Sequence, residues 1–176
     1  RSEDDSMPPV VYAGNLDPYQ NLGLLMGSME IVRARLPEAR LRIGTADNGE
    51  IPGAELVSVR DHAALCAFLG SDCVFAAPRV SWSGYPVKLL NAMAAGKPIV
   101  ACASAAHGLK HDVNALIVPD NDAAAFAEAL IALLTQPALR ARLGDAAREQ
   151  ALHAHSPRTV GEALAIVASE TIQRST

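Results

Sequence analysis

Cysteine is scarce: Cys66, Cys73 and Cys102 are the three in 176 residues. They have neither metal-ligand spacing nor an even count, and each sits in an apolar run. That reads as buried free thiols in a reducing compartment, not as a disulfide framework or a catalytic thiol. A basic block is missing as well, and the net charge is −4, which argues against nucleic acid or an anionic membrane surface as the main partner. The longest apolar runs are strand-sized or broken by charge and glycine, so neither a signal peptide nor a spanning segment is expected, and the expected location is cytoplasmic. His107 and His111 lack the third ligand a zinc site needs. With Lys110 they read either as solvated loop residues or as cations for an anionic ligand. No internal repeat appears beyond a richness in alanine.

What is present is a half-hydrophobic chain, enough for one core and one domain. Residues 1–9, with acidic Glu3, Asp4 and Asp5 and the pair Pro8 and Pro9, read as a linker. The chain begins with Arg1 and reaches its first strand almost at once, so a piece of a longer protein is expected, with residues 10–176 as its domain. Short buried strands are expected at Val10 to Ala13, Leu41 to Gly44, Glu55 to Val59, Asp72 to Ala76, Ile99 to Cys102 and Ala115 to Pro119. Between them lie helical patterns: Leu24, Leu25, Met29, Ile31, Val32 and Leu36, then His62 to Leu69, then a helix capped by Asp122. Pro137 opens a further helix that closes near Gly144 and resumes to Leu152, and Ser156 caps a last one. This alternation predicts an α/β fold, a Rossmann-like doubly wound parallel sheet. In such sheets ligands bind beyond the carboxyl ends of the strands, where Gly14 to Asn21 and Arg60 with Asp61 fall.

The stretch from Ser81 to Val100 carries the clearest chemistry. It lies between two apolar runs and reads strand, loop, helix, strand. Gly84 removes bulk where the chain turns, and Pro86 fits a first helical turn. The free amides of Val87 and Lys88, the positive end of the helix and the Lys88 ammonium together form a seat for an anion such as phosphate. Leu89, Leu90 and Met93 face inward, Asn91 sits a turn on from Val87, and Gly96 with Pro98 ends the helix.

From Gly84 to Val100 the wording closely resembles the nucleotide-sugar signature of the family 4 (group 1) retaining glycosyltransferases: Gly-Tyr, apolar residues, then Leu-Leu-Asn-Ala-Met-Ala-x-Gly-x-Pro. The resemblance runs over residues 10 to 170. It implies the C-terminal, donor-binding half of a GT-B fold, inactive without an N-terminal acceptor-binding domain. It further implies transfer of a sugar from a nucleotide diphosphate sugar to a carbohydrate or lipid-linked hydroxyl acceptor, with no metal or other cofactor. Contact with the inner membrane would come through the missing domain. Two pairs of positions depart from the pattern. The family's two glutamates, eight positions apart, fall on Ser83 and Asn91, which still bond sugar and ribose hydroxyls but without charge-assisted bonds about twice as strong. The arginine and lysine that meet the diphosphate after the first strand fall on Asn15 and Gln20, beside Gly14. By the same resemblance Val59 and Arg60 bracket the base, and Ser83, Gly84, Tyr85, Val87, Lys88 and Asn91 line the donor site. Arg60 and Lys88 read equally as surface charges, and Trp82 as a stacking platform or as packing for its own domain. Arg79 joins Lys88 as a cation near the cleft. The four polar replacements motivate a competing reading, a non-catalytic nucleotide- or partner-binding module on the same scaffold. A sugar-nucleotide epimerase of the same fold class is a third.

Overall fold

The computed structural model describes residues 7–81 and 87–154. The expectations for Trp82, Ser83, Gly84, Tyr85 and Pro86, for the acidic start of the linker and for the helix after Ser156 lie outside the described residues. Six strands form one parallel sheet: β1 (Val10–Ala13), β2 (Leu41–Thr45), β3 (Glu55–Ser58), β4 (Val74–Ala77), β5 (Ile99–Cys102) and β6 (Leu116–Val118). Their order is β3-β2-β1-β4-β5-β6, so the chain winds outward one way from β1 and then returns to its other edge at β4. That reversal leaves a crevice at the carboxyl ends of β1 and β4, the ligand position of a doubly wound sheet.

Strand periodicity assigns the two faces. Val10 and Tyr12, Leu41 and Ile43, Val74 and Ala76, and Val100 and Cys102 point to one core, shared with α1 (Leu22–Arg35) and α4 (Ala123–Thr135). Val11, Ala13, Phe75, Ile99 and Ala101 point to the other, against α2 (His62–Leu69), α3 (Val87–Ala94) and α5 (Pro137–Ala154). Burial on both faces explains why these strands read as continuous apolar runs.

Caps fix the helix ends facing the crevice. Asp61 accepts from the Ala64 amide at 2.8 Å and starts α2, and Asp122 accepts from Ala125 at 2.9 Å and starts α4. At the far end of α3, Gly96 has φ +68°, its amide bonds Met93 O, and the next amide, Lys97, bonds Ala92 O. Only glycine takes that left-handed turn cheaply, so the helix stops there as its sequence indicates.

Four expectations are corrected. α5 runs unbroken through Gly144, whose backbone lies against the Gly96 turn; the glycine is there for close approach, not to end a helix. Ile31 is exposed on α1, and Cys66 is exposed on α2, whereas Cys73 and Cys102 are buried as expected. His111 is a structural residue: its Nδ1 accepts from the Ile117 amide at 3.0 Å, which secures the edge strand β6. Strand limits otherwise shift by a residue or two. Among the described residues no helix is long and apolar enough to cross a membrane, and no group of three His, Cys, Asp or Glu could hold a metal.

Candidate functional site

Two clefts open side by side at the carboxyl rim of the sheet and share Ala13, Val87 and Lys88. The first, about 250 Å³, lies at the β1–β4 reversal, with Phe75, Ala76 and Ala77 as its floor and Tyr12, Tyr19, Gln20 and Arg79 around it. The second, about 370 Å³, lies over the ends of β1, β2 and β3, between Gly14, Asn15, Thr45, Asp47, Arg60, Asp61, His62 and Asn91. Of the sequence-derived candidates inside the described residues, Gln20 stands in the first cleft, Gly14, Asn15, Arg60 and Asn91 in the second, and Val87 and Lys88 in both.

α3 sits between the clefts because its apolar stripe does. Leu89, Ala92 and Met93 are buried against the sheet, while Val87 and Lys88 stay exposed at the helix start. The Lys88 ammonium is held below its ordinary pKa by partial burial between the cleft walls, against the opposing pull of Tyr19 and Asp47. A cation already short of solvent gains more from an incoming anion than one in open water.

The loop after β1 is closed on itself. Gln20 Nε2 donates to Asn15 Oδ1 at 2.5 Å, and Asn15 Nδ2 donates to the Tyr19 hydroxyl at 3.1 Å and to the Asp17 carboxylate. The amides that stand where cations were expected are thus engaged with one another. Asn21 pins the loop from behind, its side chain donating to Pro78 O and Asn121 Oδ1, both at 3.0 Å. Gly14 is small for a reason internal to the fold. A Cβ there would lie 2.0 Å from the Tyr12 hydroxyl, and that hydroxyl donates to Asn15 O at 3.0 Å. Burial pushes the Tyr12 phenol well above the usual tyrosine range, and Tyr19, Asp17 and Asp47 push the same way against Arg79, so it remains a neutral donor.

Sequence reasoning missed Tyr12, Tyr19 and Asp47. Asp47 Oδ2 accepts from the Leu16 amide at 2.8 Å and ties the loop after β2 to the loop after β1. The available signals were the aromatic two residues ahead of Gly14 and the Thr45-x-Asp47 turn, in which the Asp47 amide bonds Thr45 Oγ1 at 3.1 Å. Arg79, noted from sequence as a nearby cation, is half-buried, with its guanidinium 5.1 Å from the centre of the Tyr19 ring.

Comparison with known proteins agrees with this geometry. The chain is 30% identical over 145 residues to a phosphatidyl-myo-inositol mannosyltransferase of Mycobacterium leprae, covering 76% of this chain and 39% of that protein. It is 29% identical over 164 residues to a D-inositol 3-phosphate glycosyltransferase of Kribbella flavida, covering 81% and 39%. The chain therefore spans about two fifths of the length of these curated relatives. Among solved structures, a sucrose-phosphate synthase from Thermosynechococcus elongatus superposes with TM-score 0.78 at 21% identity, over 96% of this chain and 46% of that one. HepE of Anabaena in complex with UDP and glucose gives TM-score 0.75 at 17% identity, over 92% and 48%. The C-terminal domain of a group 1 glycosyl transferase, LpcC of Francisella tularensis, gives 0.73 at 11% identity, over 85% and 87%. These structures share the fold. The model of the family described as "Glycosyl transferases group 1" matches residues 8–136, and the chain belongs to that family.

Proposed function

We propose that residues 10–176 are the donor-binding domain of a retaining glycosyltransferase and that residues 1–9 lead in from an N-terminal acceptor-binding domain. The donor is a nucleotide diphosphate sugar and the acceptor a hydroxyl on a carbohydrate or a lipid-linked carbohydrate. The observation that carries this reading is the placement of Val87 and Lys88, at the start of α3, on the shared wall of two clefts at the sheet's reversal point. A diphosphate seated there meets backbone amides, the helix's positive end and an ammonium, which is how a leaving diphosphate is stabilised without metal or other cofactor. The second cleft takes the nucleoside, with Asn91 toward the ribose hydroxyls and the Val59–Arg60 segment beside the base. The enzyme works in the cytoplasm, touching the inner membrane only through its other domain, and this chain alone binds donor without transferring sugar.

The self-bonded Asn15–Gln20 loop favours a second reading, a module that binds nucleotide or a partner without catalysis. One experiment separates the two. The protein that carries this chain together with its acceptor domain is incubated with a panel of sugar nucleotides and acceptors, and free nucleoside diphosphate is measured. Release that falls in Lys88→Ala supports the transferase. Binding without release from any donor supports the module, and absence of chemical-shift or thermal-stability change across the whole panel removes the transferase and leaves the module that binds a partner.

A further inference from the structure

The first cleft has two banks that belong to different loops. Tyr19 and Gln20 stand on the loop after β1, and Pro78 directly follows β4 on the other side of the reversal point. The β1–β4 ladder registers only Val10 with Val74 and Val11 with Phe75, so it ends before either loop begins. Asn21 bridges the banks beyond it: Nδ2 donates to Pro78 O and to Asn121 Oδ1, both at 3.0 Å. Pro78 is buried, and its carbonyl also accepts from the Cys102 thiol at the end of β5, at 3.3 Å. The Asn121 backbone amide in turn bonds the Cys102 sulfur. One side chain thereby gathers the loops after β1, β4 and β6 over the end of β5.

Asparagine suits this position twice. Asn21 has φ +58°, in the left-handed region that asparagine tolerates, and its own amide bonds Pro18 O just before α1 begins. Glycine would meet that backbone demand equally well but carries no donor.

We propose that Asn21 is a positioning residue for the donor's diphosphate: by holding the Pro78 carbonyl it fixes the width of the first cleft between the loop after β1 and the segment after β4. The proposal deepens the donor-domain reading and rests on it. Asn21 lines neither cleft, so it reaches a ligand only through the banks it joins, and the second cleft, which takes the nucleoside, has no Pro78 wall.

The test is calorimetric titration of this chain with uridine, guanosine and adenosine and with their 5′-diphosphates, alongside urea unfolding. Asn21→Gly keeps the left-handed turn and removes both bonds. It weakens diphosphate binding about tenfold, the order of one or two neutral hydrogen bonds, and leaves the matching nucleoside within about twofold. The salt dependence of diphosphate binding stays at its wild-type slope, because no charge is removed. Asn121→Gly removes the acceptor but spares the Pro78 bond; it shows the same split at about threefold, and it carries the test where Asn21→Gly does not fold. A merely structural loss weakens nucleoside and diphosphate together. Diphosphate affinity that stays at wild-type strength in the folded variant, or a loss shared equally by the nucleoside, overturns the positioning role and leaves the donor-domain reading standing. A wild-type chain that binds no diphosphate overturns the donor-domain reading and this proposal with it.

Discussion

Gly144→Ala sets two effects of opposite sign against each other, and the structure decides between them. Gly144 is the eighth residue of α5, well inside the helix, where alanine is favoured over glycine by about 1 kcal/mol. A Cβ at this position, however, would lie 2.2 Å from the carbonyl oxygen of Gly96 and 3.2 Å from its carbon. Restoring an ordinary separation moves one backbone by about 1 Å. Neither side yields easily: α5 is anchored by buried Leu143, Ala147 and Ala151, and Gly96 is fixed in its left-handed turn by the Met93 and Ala92 carbonyls. Overpacking against backbone costs about 3 kcal/mol at the upper end of the usual range, so the net loss is about 2 kcal/mol. The assay is urea unfolding followed by circular dichroism, with Gly27→Ala as the internal control. Gly27 lies in α1 with nothing within 4 Å of its added Cβ, and alanine there raises stability by about 0.5–1 kcal/mol. If Gly144→Ala is as stable as the wild type, or gains as Gly27→Ala does, the close approach of α5 to the end of α3 is refuted.

Three further outcomes follow from single contacts. Asp61→Ala and Asp122→Ala each remove a helix cap and lower stability by about 1 kcal/mol in the same unfolding assay. Gly14→Ala drives its Cβ into the Tyr12 phenol; a double-mutant cycle with Tyr12→Ala shows strong coupling, the pair costing less than the sum of the singles. Burial raises the Cys73 and Cys102 thiols from 9.0 to about 11, so between those values the folded chain holds protons that the unfolded chain has released. Stability therefore falls as pH rises from about 9 to about 11, by up to about 1.4 kcal/mol per pH unit for each thiol, and the urea midpoint declines less steeply in a Cys73→Ala/Cys102→Ala chain.

Most of the fold was legible because its signals are local. Val10 to Ala13 and Ile99 to Cys102 are continuous apolar runs, and only burial on both faces of a parallel sheet accounts for several such runs between helices. Asp122 and Gly96 likewise announce helix ends through their own chemistry. What sequence could not supply was pairing across distance. Gly144 resembles a helix stop until Gly96 is seen against it, and Gly14 resembles a turn residue until the Tyr12 ring is found over it. Cys66 looks buried within an apolar run, yet α2 turns Leu65, Phe68 and Leu69 to the core and leaves Cys66 exposed. At the clefts, the place of Lys88 at a helix start was legible from sequence, while Asn91 entered through the family resemblance. The state of Asn15 and Gln20 did not, since no spacing rule says that two amides five residues apart will bond each other.

That loop changes how the polar replacements are to be weighed. A ligand calling on the Asn15 side chain must first break amide bonds already made, each worth about 1 kcal/mol net, and so gains almost nothing from it. The same holds for two carboxylates at the rim: Asp47 is committed to the Leu16 amide and Asp61 to the start of α2. The backbone at the start of α3 and Lys88, on the shared wall of the two clefts, are placed to act on an anion. Relative to the family's wording, two cations have gone from positions 15 and 20 and two anions from positions 83 and 91, so the summed charge of these four positions is unchanged. Neutral amides in the loop then serve its shape: bonded to one another and to the Tyr19 hydroxyl, they hold Tyr19 at the wall of the first cleft.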